Sequence, residues 1–388
     1  MLRHFLLLCL LPVCAATAMT EQEIQAAIDA AIKAGGGEVV IPPGVHRITH
    51  GLLVKDAKKL RIIGLDTERC VLQLPPLAVA ETTAEAAAGS TRLATQRQQN
   101  IVIGMRLRIE ADGELEAFTH KPKPYQLAIV KSVEPDALVL EAALKFPVPA
   151  TTLIRHEDAP NVFELRGACD DVRIEKLTLD GGRLASDVLV RGHAQLCGVM
   201  AQGAYTYEKG PTAARLKDIA ISRCIIQHCH GRGVAFYSVE GGLVEDCTLM
   251  DTNDEAVDLD HFTIQSVVRH NHIARCSVAV ELNDANECEV RGNECRECGI
   301  GISLWRWCKL PNLNEGHHII GNSFESMTGN GFQIGTGTAN NVFEDNDITG
   351  SGRNGISLMG KAQVLKNNRV SNSKLKDLKI TEDGALAK

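Results

Sequence analysis

The sequence predicts an all-β fold wound as a parallel β-helix, and three observations carry that expectation. Short runs of apolar–polar alternation recur at residues 234–237, 257–260, 280–283, 302–305, 332–335 and 356–359. Period-two alternation marks a strand with one buried face and one outward face. A second marker keeps step with them at Cys224, Cys247, Asn271, Asn293, Asn322, Asn346 and Asn368, in steps of 23, 24, 22, 29, 24 and 22 residues. Repeats of this length mean a solenoid or a propeller, and units of short strands with no helical pattern favour the parallel β-helix. The Asn column also has a physical reason, because stacked side-chain amides can hydrogen-bond from coil to coil.

The elements follow in order. Residues 19–77 open with a helix. Thr20 and Glu23 give a capping-box signature. Ile24, Ala27, Ile28, Ala31 and Ile32 keep helical spacing, and Gly35, Gly36 and Gly37 end it. A solenoid has open apolar ends, so this helix reads as the N-terminal cap. Residues 38–44 (EVVIPPG) read as strand and turn, and residues 52–54, 60–64 and 71–74 complete the first coils. Over residues 78–159 the register is lost. Residues 101–108, 127–130 and 137–140 read as strands of another kind, punctuated by Pro122, Pro124, Pro135, Pro147 and Pro149. This is an inserted small β subdomain, either one wall of a cleft or a structural elaboration.

The main parallel β-helix is expected over residues 160–380. Residues 183–217, with Tyr205, Tyr207, Lys209 and Pro211, read as a projecting loop, and residues 307–318 as a second excursion. Ordered loops on rigid scaffolds often carry function. Residues 381–388 are a tail expected to fray.

The chain resembles the right-handed parallel β-helix proteins of the pectin-lyase-like superfamily. The resemblance rests on the Asn column, the Ala-rich first helix, the Gly-Gly-Gly run and Pro42-Pro43-Gly44, and covers roughly residues 21–77 and 160–380. It implies the right-handed β-helix. It fixes no activity, since that superfamily holds lyases, hydrolases, epimerases and non-enzymes.

The whole chain bounds the function. At 388 residues a solenoid is one long domain, and a net charge of −7 offers no basic footprint for nucleic acid. No apolar run after residue 20 is long enough for a membrane span. Residues 1–18 (MLRHFLLLCLLPVCAATA) read as a signal peptide, with Arg3 at the charged start and Ala16-Thr17-Ala18 at the cleavage site. The expected location is secreted, periplasmic or extracellular. Thirteen cysteines become eleven after cleavage. Cys224 and Cys247 fill the ladder column, and Cys229, Cys276 and Cys298 share an interior column with Thr252, Ser351 and Ser373. Coils about 4.8 Å apart also permit Cys224–Cys247 or Cys276–Cys298 bridges. Cys295 and Cys298 make half a zinc motif with no second half, so no metal site is expected.

The chemistry concentrates in residues 251–283. On the outward face Asp258 should stack on Glu281, with Ala235 on its other side. Asp260 should stack on Asn283, with Tyr237 on its other side and Trp305 one coil beyond Asn283. His261 and Arg306 follow at the strand ends, and Asp254 and Glu255 lie in the preceding turn. Three carboxylates on one small surface repel, so a catalytic task, a cation or a cationic partner should compensate them. Stacked like charges raise a pKa, which a general acid needs. Carboxyls about 6.5–9.5 Å apart suit an inverting glycosidase and about 5–5.5 Å a retaining one. Asp258 with Asp260 fits the first and Asp258 with Glu281 the second.

Residues 253–257 resemble the paired-acid segment of polygalacturonase-type hydrolases, but that family's second acidic segment and Gly-His-Gly are missing. A lyase reading needs a base for the C5 proton and a cation for the uronate, with Arg232, His261, Arg269, Arg275 and Arg306 as candidates and Ca²⁺ on Asp258, Asp260 and Glu281. An epimerase reading would use Tyr237, Asp260 and His261.

The leading expectation is a secreted carbohydrate-active enzyme cleaving a polysaccharide by glycoside hydrolase-type acid/base chemistry. Asp258, Asp260, Glu281 and His261 are its catalytic candidates. Tyr237, Asn283, Trp305, Arg306, Arg232, Asp254 and Glu255 are its substrate-binding candidates. A uronate lyase or C5-epimerase and a non-catalytic sugar-binding scaffold stay open. Acidic outer faces can also be merely solvated, Trp305 can pack under the 307–318 excursion, and His228, His230, His270 and His272 read as surface turn residues. Arg275 and Arg291 read as ion-pair partners.

Overall fold

A computed structural model of the protein describes residues 18–110, 125–156, 161–183, 196–381 and 384–386. The signal-peptide reading therefore lies outside the described residues except for Ala18, as do Pro122 and Pro124. Three long parallel sheets, of eleven, ten and ten strands, are hydrogen-bonded coil on coil. Each regular coil contributes one short strand to each sheet, so the chain winds as a three-sided parallel β-helix. The alternation in the sequence sets the registers. Ala235 pairs with Asp258, Asp258 with Glu281, and Glu281 with Ser303. The intervening Val234, Phe236, Val257, Leu259, Val280, Leu282, Ile302 and Leu304 point inward and are fully buried. Burying such side chains is worth about 1.5–3 kcal/mol each, so a slip of one residue would expose a whole column.

The helix Glu21–Lys33 closes one end. Thr20 and Glu23 make the reciprocal capping box, and Ile24 and Ile28 are buried on the first coil. Gly36 is required where helix meets sheet: its φ is +132°, and an added Cβ would lie 2.7 Å from the carbonyl oxygens of Lys58 and Lys59.

The Asn ladder forms as its spacing predicts. Side-chain amides bridge Asn271 to Asn293, Asn293 to Asn322 and Asn322 to Asn346 at 2.9 Å, and Asn346 to Asn368 at 2.8 Å. Cys247 enters the same column, donating its backbone N–H to Asn271 Oδ1 at 2.9 Å. A second ladder, through His317, Asn341 and Gln363, was not legible in the spacing. All eleven described cysteines are buried free thiols, so the permitted bridges do not form.

A closed six-stranded barrel is inserted between the coil strands Cys70–Gln73 and Phe163–Arg166. It has a core of its own that includes Leu93, Leu107, Val130, Leu138 and Ile154.

Two local readings are corrected, and the tail expected to fray makes a contact. The run at 101–108 is a strand only from Arg106 onward; Val102 and Ile103 are exposed before it and Gly104 takes φ +84°. The segment 183–217 is not all loop. Val199–Gln202 is a strand that pairs with Phe163–Arg166 and Val234–Tyr237. The tail carries a parallel bridge from Gln363 to Leu386.

Asn293→Ala should lower stability by about 1–3 kcal/mol, because it leaves the buried N–H groups of Asn271 without their acceptor. Urea unfolding with an unchanged slope would measure it, and an unmoved midpoint would remove the ladder from the list of stabilising contacts.

Candidate active site

The strands Val234–Tyr237, Glu255–Asp260, Val278–Asn283 and Ile300–Trp305 stack side by side in one sheet. Their outward face was expected to be wet. It is buried instead: Asp258 is 0 % exposed, Asp260 4 %, Glu281 8 % and Tyr237 3 %. Two elements cover it. One is the hairpin pairing Tyr205–Thr206 with Gly210–Pro211, whose Tyr205 and Tyr207 rings lie 5.2 and 4.8 Å from the His261 ring. The other is the excursion after Ile300–Trp305, whose Cys308 and Leu313 pack with Phe262, Tyr205 and Tyr207. Neither cover follows from the repeat.

Under this cover the carboxylates fall into two groups, each built on one cation. Arg232 enters from the turn before Val234–Tyr237. Its Nε lies 2.6 Å from Glu255 and 2.7 Å from Asp258, and a terminal nitrogen lies 3.6 Å from Asp254. Tyr237 donates its hydroxyl to Asp258 at 3.1 Å, and Ser303 donates to Glu281 at 2.9 Å. The second group surrounds His261, whose Nδ1 lies 2.9 Å from Asp260 and 3.4 Å from Asp284. Tyr207 Oη is 3.1 Å from its Nε2.

Burial and charge divide the protons among these groups. Burial pushes Asp258 and Glu281 well above the usual carboxylate range, and the acids beside them push the same way. Burial would raise Glu255 too, but the Arg232 charge and hydrogen bonds from Asp254 and Glu281 hold it low. Arg232 thus favours the ionised form of Glu255, while burial favours the protonated forms of Asp258 and Glu281. Asp254 stands at the edge with a third of its side chain exposed, and burial and the Glu255 charge push it up to about 7. Burial works against a charge on His261, but Asp260 and Asp284 outweigh it and hold the imidazolium far above its usual range. Burial likewise opposes the Asp284 charge, and hydrogen bonds from His261 and Cys308 overcome it.

Of the expected site residues, the fold gathers Arg232, Tyr237, Asp254, Glu255, Asp258, Asp260, His261 and Glu281. Asn283 joins them as a buried residue whose Oδ1 has no hydrogen-bond partner among the described residues. Arg306 does not join. Its guanidinium binds the carbonyls of Cys308 and Leu310 and so ties down the excursion. Trp305 pairs with Asn283 but lies against Gly335 of the next coil. His230, expected at the surface, is buried, and Arg275 and Arg291 pair with Asp251 and Glu289. Asp284, Ser303, Tyr207 and Cys308 were missed. Column arithmetic would have found Asp284, because it stands beside His261 as Asn283 stands beside Asp260; no spacing announces Cys308.

Two adjoining grooves, of about 760 and 340 Å³, share Leu74, Pro75 and Pro76, and the smaller runs between the β-helix and the barrel. The larger is of mixed character, with Arg47, Asp180, Arg183 and His228 beside Leu74, Pro75 and Pro76. The smaller is mainly apolar, with Val102 and Met105 of the barrel, and reaches His230, two residues before Arg232.

The family model for the right handed beta helix region matches residues 201–315. This chain is a right-handed parallel β-helix protein. The β-helix protein is similar to the A-module of the Azotobacter vinelandii mannuronan C-5 epimerase AlgE6, at 17 % identity and a TM-score of 0.58, over 90 % of this chain and 71 % of the other. It is similar to DFA-IIIase from Arthrobacter chlorophenolicus A6 in complex with GF2, at 10 % identity and a TM-score of 0.53, over 92 % and 76 %. A mannuronic acid specific polysaccharide family 6 lyase from human gut microbiota gives 9 % identity and a TM-score of 0.50, over 92 % and 64 %. At these identities the likeness is one of fold. No curated protein matches the chain in sequence.

The Asp254 carboxyl makes stability depend on pH. Its folded value near 7 exceeds the unfolded value of about 3.9. Its contribution is therefore full below about pH 4 and lost as pH rises towards 7. Asp254→Asn should flatten the fall in urea midpoint between about pH 4 and 7; an unchanged pH profile would show that Asp254 titrates normally.

Proposed function

We propose that this β-helix protein is a carbohydrate-active enzyme that hydrolyses a glycosidic bond in a neutral polysaccharide or oligosaccharide. The observation that carries the reading is the Arg232 group. Two buried carboxyls stacked on adjacent strands, Asp258 and Glu281, are pushed towards their protonated forms beside a third, Glu255, that Arg232 at 2.6 Å holds low. Glycoside hydrolysis needs that division: a carboxylic acid to protonate the leaving oxygen and a carboxylate to activate water or attack the sugar. Asp258 and Glu281 are the acid candidates and Glu255 the base. Tyr237 and Ser303 fix the two acids; Asn283 Oδ1, buried without a partner among the described residues, is an acceptor for a sugar hydroxyl, and Asp258 Oδ1, likewise without one, is the oxygen left to carry the acid's proton. That the A-module is a mannuronan C-5 epimerase and the family 6 enzyme a polysaccharide lyase supports a carbohydrate substrate on this scaffold.

Electrostatics favour a neutral sugar. Six carboxyl groups, those of Asp254, Glu255, Asp258, Asp260, Glu281 and Asp284, surround two cations, Arg232 and His261, and both cations are already paired. Removing the C5 proton of a uronate requires its carboxylate to be neutralised, and no third cation touches the cluster among the described residues. The lyase or epimerase reading is kept alive by one feature, the Tyr207–His261 contact at 3.1 Å, a phenol–imidazole pair able to pass a proton.

On a panel of neutral and acidic glycans the wild type should release reducing ends from a neutral member without ultraviolet absorbance. Asp258→Asn and Glu281→Gln should each slow that release about a hundred- to ten-thousand-fold while remaining folded by circular dichroism. Unsaturated products absorbing in the ultraviolet, from an acidic glycan alone, would move the protein to the lyases. Full activity in both variants would remove these carboxyls from the chemistry.

A further inference from the structure

His261, Asp284 and Cys308 follow the ends of three successive strands in the site-bearing sheet, so each comes from a different coil. All three are buried, and one ligating atom from each lies within 4.8 Å of the other two. Tetrahedral zinc with nitrogen, oxygen and sulfur arms of about 2.0–2.3 Å sets ligand atoms about 3.3–3.6 Å apart. His261 Nδ1 and Asp284 Oδ2 are 3.4 Å apart. The outer positions are held as at metal sites. Tyr207 Oη meets His261 Nε2, which orients the ring. Asp284 Oδ1 accepts the backbone N–H groups of Trp307 at 2.9 Å and Cys308 at 3.0 Å. Asp260 Oδ1 also lies 2.9 Å from Nδ1, but it has a second bond, 2.6 Å from the His261 backbone N–H, that survives if Nδ1 turns to an ion. The surroundings are aromatic, from Tyr205, Tyr237 and Phe262. The backbone at His261, Phe262 and Asp284 is left-handed, with φ of +34°, +69° and +51°. Non-glycine residues in that region cost of order 1–3 kcal/mol each and persist where the surroundings impose them.

We propose that His261, Asp284 and Cys308 bind a zinc ion that fastens the excursion after Ile300–Trp305 onto the carboxylate-bearing sheet. The mixed donor set selects the ion. A thiolate is a poor ligand for Ca²⁺ or Mg²⁺, whereas imidazole, carboxylate and thiolate together suit Zn²⁺. Three protein ligands leave the fourth position to water. The ligating forms are deprotonated: the ion takes the place of the His261 Nδ1 proton and of the Cys308 thiol proton and releases both to solvent, so binding should weaken in acid. The site is separate from the Arg232 group, and its existence does not depend on glycoside hydrolysis.

The test uses the full chain, stripped with a chelator and reloaded with Zn²⁺ or Co²⁺. One metal per chain by mass spectrometry is expected, and the cobalt form should show thiolate-to-cobalt charge transfer in the near ultraviolet. Cys308→Ser, checked for folding by circular dichroism, should lose that band. Tyr207→Phe should keep the band but weaken zinc binding about 10–100-fold. Zinc should also slow proteolysis between residues 306 and 317 in the wild type and not in Cys308→Ser. No metal retained after loading, or the same cobalt spectrum in wild type and Cys308→Ser, would overturn the site whatever the glycan assays return.

Discussion

Coil-on-coil pairing governs everything else in this molecule. Parallel strands about 4.8 Å apart give nearly every side chain a neighbour of the same column, one coil before and one after. Where the column is aliphatic, as from Val234 through Val257, Val280 and Ile302, the pairing builds a continuous core. Where it is Asn, each amide satisfies the next, and a buried polar column is stable. The same register sets Asp258 directly on Glu281, and there stacking is unfavourable unless something removes charge. Two things do. Arg232 supplies one positive charge, and burial keeps protons on the two stacked acids.

The cluster is accordingly an arrangement that the fold tolerates rather than one that holds it together. Burying a carboxylate without a partner is expensive, and replacing buried ion pairs with apolar groups often costs nothing or stabilises. A solenoid whose core runs through every coil can absorb such a local penalty. The covering hairpin and excursion add their own aromatic contacts around His261. Conserving strain at one end of a strand while the interior columns stay regular is the pattern expected of a working site.

The coil period, the ladder and the outward register were legible because each follows from local alternation and a fixed spacing. Asp258 on Glu281, Tyr237 beside Asp260 and Asn283 beside Trp305 all came from counting. What was illegible came from parts without a period. Burial of the outward face depends on Tyr205 and Tyr207, some fifty residues before His261, and on Cys308 after it. Nothing in either segment states where it folds back. The strand Val199–Gln202 was hidden because it sits inside a long aperiodic stretch. The run at 101–108 misled in the opposite way, since its alternation starts on exposed turn residues ahead of Gly104. Arg306 looked like a site cation from its position, but its guanidinium, three methylenes from the backbone, reaches the carbonyls of Cys308 and Leu310, and those lie in the excursion.

The covers also fix the direction of approach. The hairpin and the excursion close the Asp260–His261 side, where Tyr207 and Cys308 stand over the ring. The opposite side ends in Asp254 and Arg232, whose side chains are 33 % and 17 % exposed. The apolar groove beside the barrel reaches His230 on that same side, and the larger groove continues it past Asp251 to Arg183 and Arg47. Under the hydrolase reading, a glycan would lie along both grooves and present one bond to Asp258 and Glu281 from the Arg232 edge. The barrel would then act on specificity rather than on the chemical step: its Val102 and Met105 touch the groove but no carboxyl of the cluster, so changing them should alter which glycan is held while leaving the proton arrangement around Arg232 as it is.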